Sequence, residues 1–187
     1  VADNQVTDYL IRIVQPRLSE RIGRGSDAFA MHVKGQEAPL HEPRGKFNVG
    51  LGYAVSETGA DHLRAAHDTS FAAAESASLK SAWPLGVYKP VDPLAAGPDK
   101  VHLFARAELT SILWNCVGGC FFVYAPRGYH DINEFVRLAR AVTGWNISLS
   151  ELLTSAERVL NMARSFNMRE GLRRADDTLP QRFFEPL

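Results

Sequence analysis

Apolar residues recur at helical spacing along most of the chain, and the alternation expected of half-buried strands is nearly absent. Between Val6 and Ile22 the stripe Leu10, Ile13, Val14 and Leu18 predicts a helix. Pro16 predicts a kink or break in it, because proline lacks an N–H and clashes with the preceding turn. Phe29 to Val33, closed by Gly35, predicts the one short strand. Asn48 to Thr58 predicts a helix whose small Gly50, Gly52 and Ala54 permit close packing, with a second short helix from Ala60 through His67 or beyond. Val101 to Trp114 predicts another, with Leu103, Phe104, Ala107 and Ile112 turned inward. The C-terminal third is the most regular. Asp131 suits the N-cap of a helix over 132–143, ended by Gly144. Ser148 or Ser150 then caps a helix with Leu152, Leu153, Ala156, Val159, Leu160 and Ala163 on one face.

These elements predict an all-α, multihelical fold. Trp83-Pro84-Leu85-Gly86, Lys89-Pro90, Asp92-Pro93 and Gly97-Pro98 mark residues 81–100 as an irregular connection. The expected organisation is a helical subdomain over 1–80, this linker, and a second helical subdomain over 101–187.

Composition narrows the function only modestly. Hydrophobic residues make up 45% and charged residues 22%, ordinary for a globular protein. Lys plus Arg number 21 and Asp plus Glu 21, so there is no basic excess to neutralise nucleic-acid or membrane phosphates. No apolar run approaches the roughly 20 residues that span a bilayer. The first residues resemble no secretion signal, and two cysteines are too few for a disulfide framework, which together point to the reducing cytoplasm. Val1 rather than methionine opens the sequence, so a processed chain or a fragment is expected.

Two constellations suggest chemistry. His41-Glu42-Pro43-Arg44-Gly45-Lys46-Phe47 places an acid three residues before a glycine. Asn115-Cys116-Val117-Gly118-Gly119-Cys120 places an amide three residues before one. In both, glycine would let backbone approach a flat ligand closely. Cys116 and Cys120 would lie one turn apart if both were helical. The six histidines, His32, His41, His62, His67, His102 and His130, lack metal-pair spacing and read as structural or surface residues. Asp61 suits a helix cap, and Arg169-Glu170 an ion pair or a helix end.

The surroundings of these constellations are more specific. Phe29 to Pro39 with Glu42-Pro43-Arg44-Gly45, then Gly50 to Ser56 with Gly59-Ala60-Asp61-His62, resemble the aldehyde:ferredoxin oxidoreductase family. So does the ending, Asn167-Met168-Arg169-Glu170-Gly171, Asp176-Asp177-Thr178-Leu179-Pro180 and Arg182-Phe183-Phe184-Glu185-Pro186-Leu187. The resemblance runs from about residue 15 to 187 and is poorest over 72–105.

That resemblance implies oxidation of aldehydes to carboxylic acids at a tungsten (or molybdenum) held by two molybdopterin dithiolenes. Electrons would leave through a 4Fe-4S cluster to ferredoxin. It also implies a β-rich N-terminal pterin domain as partner, over which helical domains close, with this chain a truncated C-terminal segment. The family grips each pterin with Asp-x-x-Gly-Leu-(Asp/Cys). By resemblance the first such segment falls on Glu42, Gly45, Lys46 and Phe47, and the second on Asn115, Gly118, Gly119 and Cys120. Cys120 falls where the family places the last cysteine ligand of its cluster. Arg44 would contact the anionic cofactor. Departures are evident: Glu42 and Asn115 replace aspartates, Lys46 and Gly119 replace leucines, and the other three cluster cysteines are absent. The alternative is a degenerate helical binding domain that has lost the cofactor. Either way, a domain shaped to cover a cofactor exposes apolar surface when alone, so homo-oligomerisation is expected.

Overall fold

The computed structural model describes residues 18–19, 21–64, 66–124 and 132–186. Six α-helices carry the described architecture: α1 (Phe47–Val55), α2 (Ala77–Ser81), α3 (Pro98–Cys116), α4 (Phe121–Tyr124), α5 (Ile132–Thr143) and α6 (Leu149–Arg169). The expected multihelical, all-α character holds. Most of the Val6 to Ile22 stripe, together with His130 and Asp131, lies outside the described residues.

The long helices form where their caps and stripes say they should. Ser148 accepts the Glu151 N–H while the Glu151 carboxylate accepts the Ser148 N–H, a reciprocal capping box at the start of α6. Gly144, at φ 72°, ends α5 in the left-handed conformation. Arg169 is the last residue of α6 and Glu170 its C-cap. The helix-end reading of that pair is the one realised.

The principal packing is α3 against α6. Ile112, Leu113 and Trp114 of α3 bury against Ile132, Phe135 and Val136 of α5 and Leu152, Leu153 and Ala156 of α6. Trp114 meets Phe135 edge to face at 4.3 Å. A second cluster gathers Phe71, Leu79, Ala82, Val87, Val91 and Leu103, so three residues of the Pro/Gly stretch pack into it. A third holds Val33, Val49, Tyr53 and Ala60 beneath the chain end, where Leu179 packs on it.

Two expectations from the sequence are corrected. The single strand over 29–33 is instead a small hairpin, β1 (His32–Val33) with β2 (Gln36–Glu37), paired antiparallel. Phe29 belongs to a preceding 3-10 turn, Ser26–Phe29. The reason is the Lys34-Gly35 turn, with φ 51° and 82°, which reverses the chain after two residues. The second correction concerns Ala60 to His67, whose described residues form turns and bends rather than a helix. Its carbonyls are taken by side chains from elsewhere: Ser111 Oγ donates to the Leu63 oxygen at 2.9 Å, and Asn48 Nδ2 to that of Ala66 at 3.1 Å. Asp61 caps no helix and accepts the Leu63 N–H at 2.9 Å. Gly59, at φ 96°, brings this segment against the hairpin, where a Cβ would stand 2.3 Å from the Val33 oxygen.

Large apolar side chains remain exposed on the last two helices and the link between them: Val142 is 84% exposed, Trp145 65%, Met162 69% and Phe166 60%. The lone chain is therefore expected to elute above monomer size in size-exclusion chromatography. A single monomeric peak at all concentrations would contradict this.

Candidate functional site

The first glycine loop is organised by an internal ion pair. Glu42 caps a 3-10 turn, Pro43–Gly45, and accepts the Arg44 N–H at 3.0 Å. Arg44 then folds back as a fork, donating from Nε to Oε1 at 2.8 Å and from Nη2 to Oε2 at 2.9 Å. That hydrogen bonding holds the Glu42 carboxyl below its usual range. Arg44 Nη1 donates to the Glu185 carbonyl at 2.8 Å, tying the loop to the C-terminal tail. Gly45 is exposed, with open space where a side chain would project.

The second loop is a helix ending. Gly118 donates to the Asn115 carbonyl at 3.2 Å and Gly119 to that of Trp114 at 2.8 Å, with Gly118 at φ 68°. This is the Schellman arrangement, which favours glycine at that left-handed position whatever else the loop does. Because α3 ends at Cys116, the two cysteines do not lie along one helix. Both are free and exposed. Asn115 and Gly118 are exposed as well, and Gly119 is half-buried.

A cavity of about 240 Å³ is lined by residues adjoining both loops, but by none of Glu42, Arg44, Gly45, Asn115, Gly118, Gly119 or Cys120. Lys46, the residue after Gly45, lines one side, and Phe121 and Phe122, which follow Cys120, line the other. His41, His62 and His67 complete the wall. Their rings converge, with centroids 4.6 Å apart for His41–His62, 4.5 Å for His41–His67 and 5.8 Å for His62–His67. The expectation that these three are scattered along the fold is corrected here. The predicted helix would have pointed His62 and His67 apart, whereas the turns that replace it bring both onto His41. No periodicity signals such a convergence. The one sequence feature bearing on it was Gly59-Ala60-Asp61-His62, where the turn begins.

Electrostatics divides roles within the cluster. Burial, aided by the Lys46 charge and opposed by Asp61, lowers the affinity of His62 for a proton, so its imidazole is neutral at neutral pH. Lys46 Nζ stands 3.2 Å from His67 Nδ1. An ammonium has only donors, so it fixes His67 as the acceptor at Nδ1. Tyr53, whose phenol is pushed well above its ordinary range by burial, stays protonated and donates to the His41 carbonyl at 3.2 Å. Among the described residues no group of three His, Cys, Asp or Glu side chains has metal-holding geometry. The cavity can therefore accept a proton at His62 and present a positive charge at Lys46, beside an aromatic wall.

A family model described as aldehyde ferredoxin oxidoreductase, domains 2 & 3, matches residues 15–187. The chain belongs to the aldehyde ferredoxin oxidoreductase family. The tungsten-containing aldehyde ferredoxin oxidoreductase of Thermococcus kodakarensis is 32% identical over 162 residues, covering 86% of this chain and 24% of the relative. That of Pyrococcus furiosus is 32% identical over 170 residues, covering 90% and 25%. The chain thus spans about a quarter of the length of these aldehyde ferredoxin oxidoreductases. No helix among the described residues is long and apolar enough to cross a membrane.

Proposed function

We propose that this chain is the helical part of an aldehyde-oxidising tungstopterin (or molybdopterin) enzyme, and that its histidine cavity is the wall against which the aldehyde reacts. What supports the reading is membership of a family whose relatives are tungsten enzymes, together with a three-histidine cavity lined by Lys46, next to Gly45, and by Phe121 and Phe122, which follow Cys120. The overall change is RCHO + H2O → RCOO⁻ + 3 H⁺ + 2 e⁻, and the metal centre, when bound, supplies the two-electron oxidation. This chain's part is to exclude water with Phe121 and Phe122 and to accept a released proton at neutral His62.

The fit of the cofactors to these residues is uneven. Gly45 and Gly118 leave open surface of the kind a flat ring system needs, and Asn115 and Gly119 stand beside the latter. Glu42 gives both oxygens to Arg44, so a pterin would have to share its carboxylate with that fork. Cys120, free and exposed, fits one thiolate of an iron–sulfur cluster. Two cysteines cannot supply four thiolates, so the other ligands belong to a partner segment, and no step is derived through the cluster. We assign that segment, with the pterin domain, to the portion of the relatives that this chain does not cover, and the electron acceptor to ferredoxin. In this arrangement the halves on either side of residues 81–100 contribute one loop each.

The test is reconstitution. The uncovered N-terminal region of a Pyrococcus relative, produced separately, should bind this chain, and metal analysis of the complex should find iron with tungsten or molybdenum. Cys120→Ser should abolish iron uptake attributable to this chain while leaving the complex intact. A colourless, metal-free complex would instead favour a domain that keeps the fold without the cofactor, a reading that the closed Glu42–Arg44 fork also supports.

A further inference from the structure

Lys46 is the feature of the cavity that the aldehyde reading leaves unused. Its ammonium has three N–H donors. One goes to His67 Nδ1, and the described residues give the other two no acceptor. Among the described residues no carboxylate lines the cavity. The acids of the neighbouring segments are engaged elsewhere: Glu42 closes on Arg44, Asp61 accepts the Leu63 N–H and lies 3.9 Å from Arg64, and Asp68 pairs with Lys100 and accepts the Asn48 N–H. A half-buried ammonium facing a neutral histidine and two phenylalanines is thus a positive charge without a negative partner inside its own pocket. Such a charge attracts an anionic group of a ligand, and the aromatic wall takes the ligand's apolar body. The volume, about 240 Å³, lies just below the roughly 300–1,000 Å³ of small-molecule sites, so the body is limited to about one ring.

We propose that Lys46 makes this cavity an anion-accepting pocket whose ligand is a small carboxylate on an aromatic or compact apolar body. Resting on the aldehyde reading above, the inferred substrate class is aldehydes that carry such a carboxylate. The carboxylate pairs with Lys46, the body lies against Phe121 and Phe122, and the aldehyde carbon points away from Lys46 toward the second loop.

The full chain is titrated with benzoate and, as its neutral counterpart, benzamide, following the histidine ring signals by NMR. Benzoate is expected to move the His62 and His67 signals and to bind more tightly than benzamide. Lys46→Met should weaken benzoate binding about tenfold, the scale of one lost charge-assisted hydrogen bond, and leave benzamide within a factor of about two. Raising the salt should weaken benzoate and spare benzamide, a readout that needs no variant to fold. Equal binding of the two probes, salt-independent benzoate binding, or benzoate affinity unchanged in a folded Lys46→Met chain would each overturn the proposal. Because no metal enters this assay, its failure is distinct from failure of the reconstitution. In the reconstituted complex, 4-formylbenzoate should exceed benzaldehyde in kcat/KM, and Lys46→Met should erase that preference.

Discussion

Replacing Asp68 with alanine is expected to lower the free energy of unfolding by about 3–5 kcal/mol, the usual cost of stranding one member of a buried ion pair. For a chain of this length the melting temperature should fall by on the order of 10 °C. Asp68 is 0% exposed and Lys100 5%. One Asp68 oxygen accepts the Lys100 ammonium and the other accepts the Asn48 N–H at 2.9 Å. Lys100 also donates to the carbonyls of Asp92 at 2.9 Å and Pro93 at 3.2 Å. The pair therefore joins the start of α1, the turn after His67, the Pro/Gly stretch and the first turn of α3. Alanine would leave the ammonium buried among carbonyls with no countercharge. Replacing both partners, as Asp68→Ala with Lys100→Met, should cost much less than the single change, because no charge is then stranded. Urea denaturation of the three proteins measures this. A single variant within about 1 kcal/mol of wild type would show that the pair contributes no more than a surface contact. Function is tied to the same pair, since Asn48 and Asp68 lie next to the two residues, Lys46 at two positions and His67 at one, that meet in the cavity.

Much of the fold was legible because its determinants are local. The Ser148 capping box, Gly144 and the apolar stripe of α6 act within a few residues of the helix they define. The match to residues 15–187 bears out the family resemblance, whose motifs are likewise contiguous runs. What could not be read from one dimension was anything set by distant partners. The segment 60–67 has acceptable helix composition, yet Asn48 and Ser111 capture its carbonyls from positions 18 and 48 residues away. That capture is what gathers the histidines, so the cavity stayed hidden for the same reason the helix was wrongly expected. The glycine loops show the converse difficulty. Gly118 satisfies a Schellman ending and Glu42 a local ion pair, so each motif has a structural cause that spacing alone cannot separate from a ligand role.

Glu108→Gln is expected to stabilise the chain at pH 8 by about 3 kcal/mol and to change little at pH 4. Glu108 lies on α3 and is only 6% exposed. Burial pushes its carboxyl up from 4.5 to about 7, with the Glu57 charge adding to the shift and Arg64 and Arg164 opposing it. The protonated form is thus the one the folded state favours. Between those two values the folded chain binds more protons than the unfolded one, so stability falls as pH rises through the window. The loss is complete above about 7 and amounts to about 3 kcal/mol, at 1.36 kcal/mol for each tenfold change in proton affinity. Glutamine resembles the protonated carboxyl in shape and removes the titration, so its stability profile should be flatter across that window. Urea midpoints for both proteins at pH 4, 6 and 8 decide the matter, and parallel profiles would mean that Glu108 reaches water when charged. The surroundings link this group to the cavity. Arg64, which opposes the shift, pairs with Glu57 at 2.6 Å and lies 3.9 Å from Asp61, the neighbour that supports a charge on His62. Ionising Glu108 draws on the same arginine, so the pH range that loosens α3 is also the range in which the Asp61–His62 turn feels a changed field. Glutamine at 108 should therefore move the His62 NMR titration as well as the stability curve.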